Sequence, residues 1–305
     1  MSKNLLNWLI FMALSVIWGS SFILMKIGLD NHLSPYQVAA IRILSAGLAL
    51  LPVSIKHFRK IPADKLFRVF MSGVLGSLFP SFLFCMAEEG IDSSLAGTLN
   101  CLTPVFVILT GAFFFKTKTA KTKIKGIIIA FAGSILLLVS KGHMQENEHM
   151  LFVSFAILAT IFYGINVNLV ANHLLNISSL HTAAVSLSLN AVPAFLILVV
   201  TGYFNTNIVD NSFLLATAAA SLLGLLGTAL ATILFYMLVK RSSALFASMV
   251  TYGIPFIAIG WGGLAGEQFG WKQMLCLIVI LVGVFLVNRK SPGLTTKIKV
   301  PPVPE

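Results

Sequence analysis

Residues 93–116 read SSLAGTLNCLTPVFVILTGAFFFK and residues 244–267 read ALFASMVTYGIPFIAIGWGGLAGE; laid with Pro104 on Pro255, they are one pattern written twice. Ala96 then meets Ala247, Gly97 meets Ser248, Asn100 meets Thr251, Cys101 meets Tyr252 and Gly111 meets Gly262. Each copy is long enough to cross a bilayer, which takes about 20 mostly apolar residues. Each also carries small residues, a polar position and a mid-span proline. That proline removes a backbone donor and clashes with the preceding turn. The carbonyl it frees must be satisfied inside the protein or by water, because lipid offers no partner. Matched, proline-interrupted apolar segments in the two halves of a chain point to the binding site of a transporter.

The composition agrees with a membrane setting. Of the 305 residues, 57% are hydrophobic and only 10% charged, and the mean hydropathy is +0.93. That is too apolar for a soluble fold of this length and predicts an all-α integral membrane protein. The net charge of +11 would suggest a nucleic-acid partner if it were spread over a surface, but the charges sit in short loops between apolar runs. Topology explains them, and no nucleic acid is expected. Cys85, Cys101 and Cys276 lie inside apolar runs without C-x-x-C spacing and read as small buried hydrophobes. Lys3 followed by an apolar run without an A-x-A pattern reads as a retained first span, not a cleaved signal.

Apolar runs predict ten transmembrane helices, at roughly 8–28, 35–55, 66–87, 93–115, 124–140, 150–172, 181–201, 213–239, 243–265 and 271–288. With the N-terminus inside, one side collects every Lys and Arg except Lys26, Arg42, Lys141 and Lys272. The opposite side collects every acid except Asp64 and Glu305. This bias predicts a multi-pass protein of the bacterial inner (plasma) membrane with both termini cytoplasmic. The runs at 56–68 and 116–125 would also favour anionic lipid headgroups.

The repeat extends beyond its first pair. Trp18-Gly19 matches Tyr163-Gly164, LSPYQVAAIR at 33–42 matches ISSLHTAAVS at 177–186, and Gly76 and Phe84 match Gly227 and Phe235. The expected organisation is two five-helix units, 1–145 and 146–290, followed by a Pro-rich disordered tail over 291–305. Five is odd, so the second unit enters the membrane the other way up. The two units form an inverted repeat of the kind that supports alternating access.

This five-plus-five layout, WGSSF with Lys26 in span one, Pro35 and the Arg42 region in span two, and the small-residue segments ending in Pro104 and Pro255 resemble the EamA family of the drug/metabolite transporter superfamily. The resemblance runs to about residue 290, and its motifs specify the family better than the substrate. It implies export of amino acids, other small metabolites or drugs across the plasma membrane. It also implies spans one to four and six to nine around a central cavity, with spans five and ten peripheral. The chain departs from it at Glu88-Glu89, where relatives usually carry uncharged residues.

Candidate site residues follow from polarity inside spans. Trp18 and Tyr163 are too central for interfacial anchors and are candidates to stack on substrate; the alternative is packing. Ser21 of WGSSF, Asn100, Asn166, Thr251 and Tyr252 are candidate substrate-binding side chains. Their alternative is hydrogen bonding between helices, which is the preferred reading for Asn190. Arg42 is the one basic residue well inside a span, and buried charge marks function by default. With Glu88 and Glu89 at similar depth it forms either a gate or a fixed ion pair between spans two and three. Lys26 can extend its stem to the interface. Pro104 and Pro255 are candidate hinges, and the paired glycines are candidate close-packing positions.

No metal site is expected, because the six histidines fall in loops or at span ends without partners at ligand spacing. No phosphate-cradling glycine motif precedes a helix, so no ATP or other cofactor is expected. The expected partners are a small-molecule substrate and the lipid bilayer, with a proton as the candidate coupling ion. The leading function is metabolite export, with multidrug efflux as the alternative. A polytopic lipid enzyme would need a His or acid cluster at one membrane face. A channel would need a continuous pore, which interrupted helices do not suggest.

Overall fold

The structure, a computed structural model, describes residues 3–91, 93–140, 150–205, 210–264 and 270–288. The expected boundary near residue 145, Lys141, Glu267 and the expected tail over 291–305 lie outside the described residues. All regular structure among the described residues is helical. Among the described residues, seven helices are long and apolar enough to cross a membrane: Asn4–Asp30, Pro35–Lys60, Ala63–Ala87, Leu95–Phe115, Met150–His173, Ser179–Val200 and Asn211–Arg241. They occupy the positions expected for spans one to four and six to eight. Helical structure over Lys121–Ser140, 244–264 and Trp271–Asn288 occupies the positions of spans five, nine and ten. Large apolar side chains such as Phe113, Val200 and Phe285 are more than half exposed on the outside of the bundle, as a lipid-facing surface requires.

Helix starts follow local chemistry. Ser34 accepts from the Gln37 N–H while the Gln37 side chain accepts from the Ser34 N–H, a reciprocal cap just ahead of Pro35. Ser243 accepts from the Phe246 N–H and starts span nine. At the other end of span four, Lys116 adopts a left-handed conformation (φ 52°) and the Thr117 N–H returns to the Gly111 carbonyl.

Four of the rods are broken, and the breaks come in matched pairs. Spans four and nine change to 3-10 geometry at Asn100–Leu102 and Met249–Gly253. Pro104 cannot donate to the Asn100 carbonyl four residues back, so the Thr103 N–H takes it. Pro255 likewise leaves the Thr251 carbonyl to the Ile254 N–H. Spans three and eight contain π-helical segments at Val74–Leu78 and Leu223–Leu230. In span three, Pro80 cannot serve the Gly76 carbonyl, and the Phe79 N–H reaches back to Val74. Span eight has no such proline, and its Gly227 carbonyl accepts from the Trp18 indole instead, at 3.1 Å.

Contacts between residues 3–140 and residues 150–288 are reciprocal at positions that match in the sequence alignment. A Cβ on Gly19 would lie 2.6 Å from Ile257 Cβ, and a Cβ on the matching Gly164 would lie 2.8 Å from the Phe106 backbone carbon. A Cβ on Gly227 would lie 2.8 Å from Ser21 Oγ, and one on the matching Gly76 would lie 2.7 Å from Asn166 Cγ. With Trp18-Gly19 aligned on Tyr163-Gly164, Ser21 falls on Asn166; with Pro104 on Pro255, Phe106 falls on Ile257. What each half presents to the other is thus presented back at the equivalent place.

Two buried apolar clusters flank the middle of the bundle. One contains Leu14, Val69, Leu174 and Leu238; the other contains Met25, Val38, Ala87 and Leu223. Trp18 packs against both. Spans five and ten pack on each other, backbone to backbone, where a Cβ on Gly126 would stand 2.8 Å from the Gly283 carbonyl oxygen.

Candidate functional site

A cavity of about 50 Å³ opens between the two clusters, where the broken segments converge. At roughly 10–15 Å³ per water by the same measure, it holds a few waters and must widen for an organic solute. Trp18, Ser21, Asn100, Tyr163, Asn166 and Thr251, all expected at the site, line it. They come from spans one, four, six and nine. Spans two, three and eight add Arg42, Phe84, Thr232 and Phe235.

The aromatic walls repeat the reciprocity of the fold. Trp18 and Phe235 have ring centroids 5.2 Å apart, and their repeat equivalents Tyr163 and Phe84 are 6.1 Å apart. The breaks supply the polar groups. Asn100 accepts through Oδ1 from the Thr103 hydroxyl at 3.0 Å, and the Thr251 hydroxyl donates to the Ser248 carbonyl at 3.0 Å. The Cys101 thiol donates to the Thr251 carbonyl at 3.3 Å, so the two breaks touch. Asn166 is buried, yet its Oδ1 has no hydrogen-bond partner, and a buried unmade bond is costly unless water or a ligand completes it.

Other expected residues fall elsewhere. Tyr252 is 1% exposed and donates its hydroxyl to the Ile127 carbonyl of span five at 3.3 Å, away from the cavity. The one-residue step from Thr251 turns its side chain from the cavity to the packing face. The expected Arg42 ion pair with Glu88 or Glu89 is not formed; among the described residues the ion pair seen is Lys26–Asp30, at 3.3 Å. Arg42 instead turns to span eight and donates through Nε to Thr228 Oγ1 at 2.7 Å. Glu88 is 1% exposed with neither carboxylate oxygen partnered, while Glu89 is exposed. Pro104 and Pro255 stand in the first turn after each break.

Asn168 and Asn190 serve structure. Asn168 Nδ2 donates to the Val107 carbonyl at 2.8 Å and to Thr110 Oγ1 at 3.0 Å, fastening span six to span four. Asn190 Nδ2 donates to the Ser186 carbonyl at 2.7 Å within its own helix and to the Phe70 carbonyl of span three at 3.4 Å. Phe84 and Phe235 were not singled out as site residues from the sequence, although their match across the repeat carried the signal. Tyr236 and Thr232, one helical turn apart on the same face, carried no comparable sign.

Comparison with known proteins gives the family. The model of the EamA-like transporter family matches the chain twice, over residues 6–139 and 150–289. The chain is 27% identical over 283 residues to the "Uncharacterized inner membrane transporter YedA" of Escherichia coli (strain K12), covering 90% of this chain and 88% of that one. It is 25% identical to a "Probable amino-acid metabolite efflux pump" of the same organism, covering 92% of this chain and 86% of the relative. It is 23% identical to a "Probable terminal-alkyne amino-acid exporter" of Streptantibioticus cattleyicolor, covering 91% and 92%. A solved crystal structure shares the fold at 15% identity, with a TM-score of 0.70 over 92% of this chain and 96% of the other. The chain is a multi-pass membrane transporter in kind, and it belongs to the EamA-like transporter family.

Proposed function

We propose that this protein is a secondary transporter that exports small organic metabolites, amino acids or related compounds, across the plasma membrane by alternating access. In this reading the halves 1–145 and 146–290 are inverted copies with both termini cytoplasmic, and the cavity at their junction opens to either side in turn. The observation that carries it is the reciprocity of the cavity walls, with Trp18–Phe235 answered by Tyr163–Phe84 and Gly227–Ser21 by Gly76–Asn166. A site built from two equivalent faces has two near-equivalent packings, which alternating access needs. The clusters on either side are the natural plugs, and the breaks before Pro104 and Pro255 are the natural hinges. Names carried by relatives, an amino-acid metabolite efflux pump and an amino-acid exporter, support the substrate class.

Multidrug efflux is the second reading, favoured by the aromatic lining of Trp18, Phe22, Phe84, Tyr163, Phe235 and Tyr236. The Arg42 guanidinium in the same lining opposes it for cationic drugs. Proteoliposome flux of the purified protein against a panel of amino acids and cationic drugs, with and without a pH gradient, tests the proposal. Saturable flux of amino acids supports it. Flux of the cationic drugs alone would move the assignment to efflux, and flux of neither would remove both substrate readings.

A further inference from the structure

Among the described residues Arg42 is the one charged side chain lining the cavity, and it is 7% exposed. Its guanidinium carries five N–H donors and stays protonated in proteins. Nε is used on Thr228 Oγ1 at 2.7 Å, and Nη1 meets only the Met25 sulfur, at 4.0 Å. Among the described residues no carboxylate lies at ion-pair distance from it. A buried cation without a countercharge is costly, and a chain that retains one in a cavity has a use for it. The Thr228 contact fixes the plane of the guanidinium and leaves its outer edge free.

We infer that Arg42, oriented by Thr228, is the receptor for the carboxylate of the transported solute, so that the cavity takes compact monocarboxylates with an apolar or aromatic body. The inference rests on the transport reading for why a solute enters the cavity at all. The class follows from the lining. A planar carboxylate matches the fork of a guanidinium. A phosphate dianion would want a second cation, and none lines the cavity. The rings of Trp18, Phe84, Tyr163 and Phe235 suit an apolar body, and the unpartnered Asn166 Oδ1 suits an N–H donor on the same solute.

The test uses the full-length protein in detergent and in proteoliposomes. The probes are leucine and phenylalanine, their amides leucinamide and phenylalaninamide, and the decarboxylated amines isoamylamine and phenethylamine. Binding is read by ligand-induced thermal shift and transport by flux. Wild type is expected to prefer each acid over its amide by about tenfold or more, because a site built around a charged hydrogen bond rejects the analogue that lacks it. Arg42→Gln is expected to abolish that preference, and Arg42→Lys to retain part of it. Thr228→Val, which keeps the charge but frees the fork, is expected to shrink the acid-over-amide preference below that of wild type; this variant answers the question if Arg42→Gln does not fold. Acid-selective, Arg42-dependent binding without flux would uphold the inference and overturn transport. Flux in which acid and amide are equivalent, or no binding of either acid, would overturn the inference.

Discussion

Trp18 of span one donates its indole N–H to the Gly227 carbonyl at 3.1 Å, inside the π-helical segment of span eight. The bond satisfies a backbone group at a helix irregularity while placing the indole against the cavity. Trp18→Phe keeps a ring and loses the donor. It is expected to cost about 1 kcal/mol of stability, the typical net value of one hydrogen bond, and to lower flux. Thermal unfolding in detergent and proteoliposome flux check this; unchanged values for both would show that the bond does not matter.

Gly76→Ala would set a methyl 2.7 Å from Asn166 Cγ. Overpacking of this kind costs about 1–3 kcal/mol. The double variant Gly76→Ala/Asn166→Ala is expected to recover most of the lost stability without recovering full flux, since Asn166 also lines the cavity. A double-variant cycle of thermal stabilities measures the coupling, and strictly additive effects would contradict the contact.

Thr251 and Tyr252 are neighbours with separate tasks. Thr251→Val removes a polar group from the cavity and is expected to lower flux with little change in stability. Tyr252→Phe removes the hydroxyl bond to Ile127, an interhelical bond worth about 0.6 kcal/mol on average in membrane proteins, and is expected to leave flux intact. The opposite pattern in a paired flux and unfolding measurement would exchange their roles.

Glu88 gives a pH signature. It follows the helix Ala63–Ala87, and burial pushes its carboxyl well above the usual carboxylate range; the charges of Lys26 and Arg42 pull the other way and Asp30 adds to the rise. The folded protein therefore keeps a proton that the unfolded chain releases. That contribution is complete at low pH and is lost as pH rises above about 4.5 toward the folded value. The Tm of wild type is expected to fall over this range more steeply than that of Glu88→Gln. Parallel profiles would mean that Glu88 is not held protonated by the fold.

The helical class, the positions of the rods and most of the cavity were legible in the sequence for physical reasons. A bilayer imposes length and apolarity on every span, and a proline such as Pro104 or Pro255 forces a break whose freed carbonyl needs a partner. Asn100 and Thr251 sit at those carbonyls, so their place could be read. Tyr252 could not, because one residue decides which face of the 3-10 turn a side chain takes. Arg42 was legible as a buried charge, but its partner was not. The choice of Thr228 over Glu88 depends on how span eight packs against span two, and that is set by small residues such as Gly224, which meets the Arg42 backbone across the interface. The π-helical segment of span eight, which has no proline, left no mark.

The most direct measurement is the labelling of Thr251→Cys, in a background with Cys85, Cys101 and Cys276 replaced and flux retained, by a membrane-impermeant thiol reagent applied from either side. Alternating access requires label to reach this cavity position from both faces, with substrate shifting the two rates in opposite directions. Labelling from one face alone, unchanged by substrate, would contradict a cavity that opens to both sides in turn.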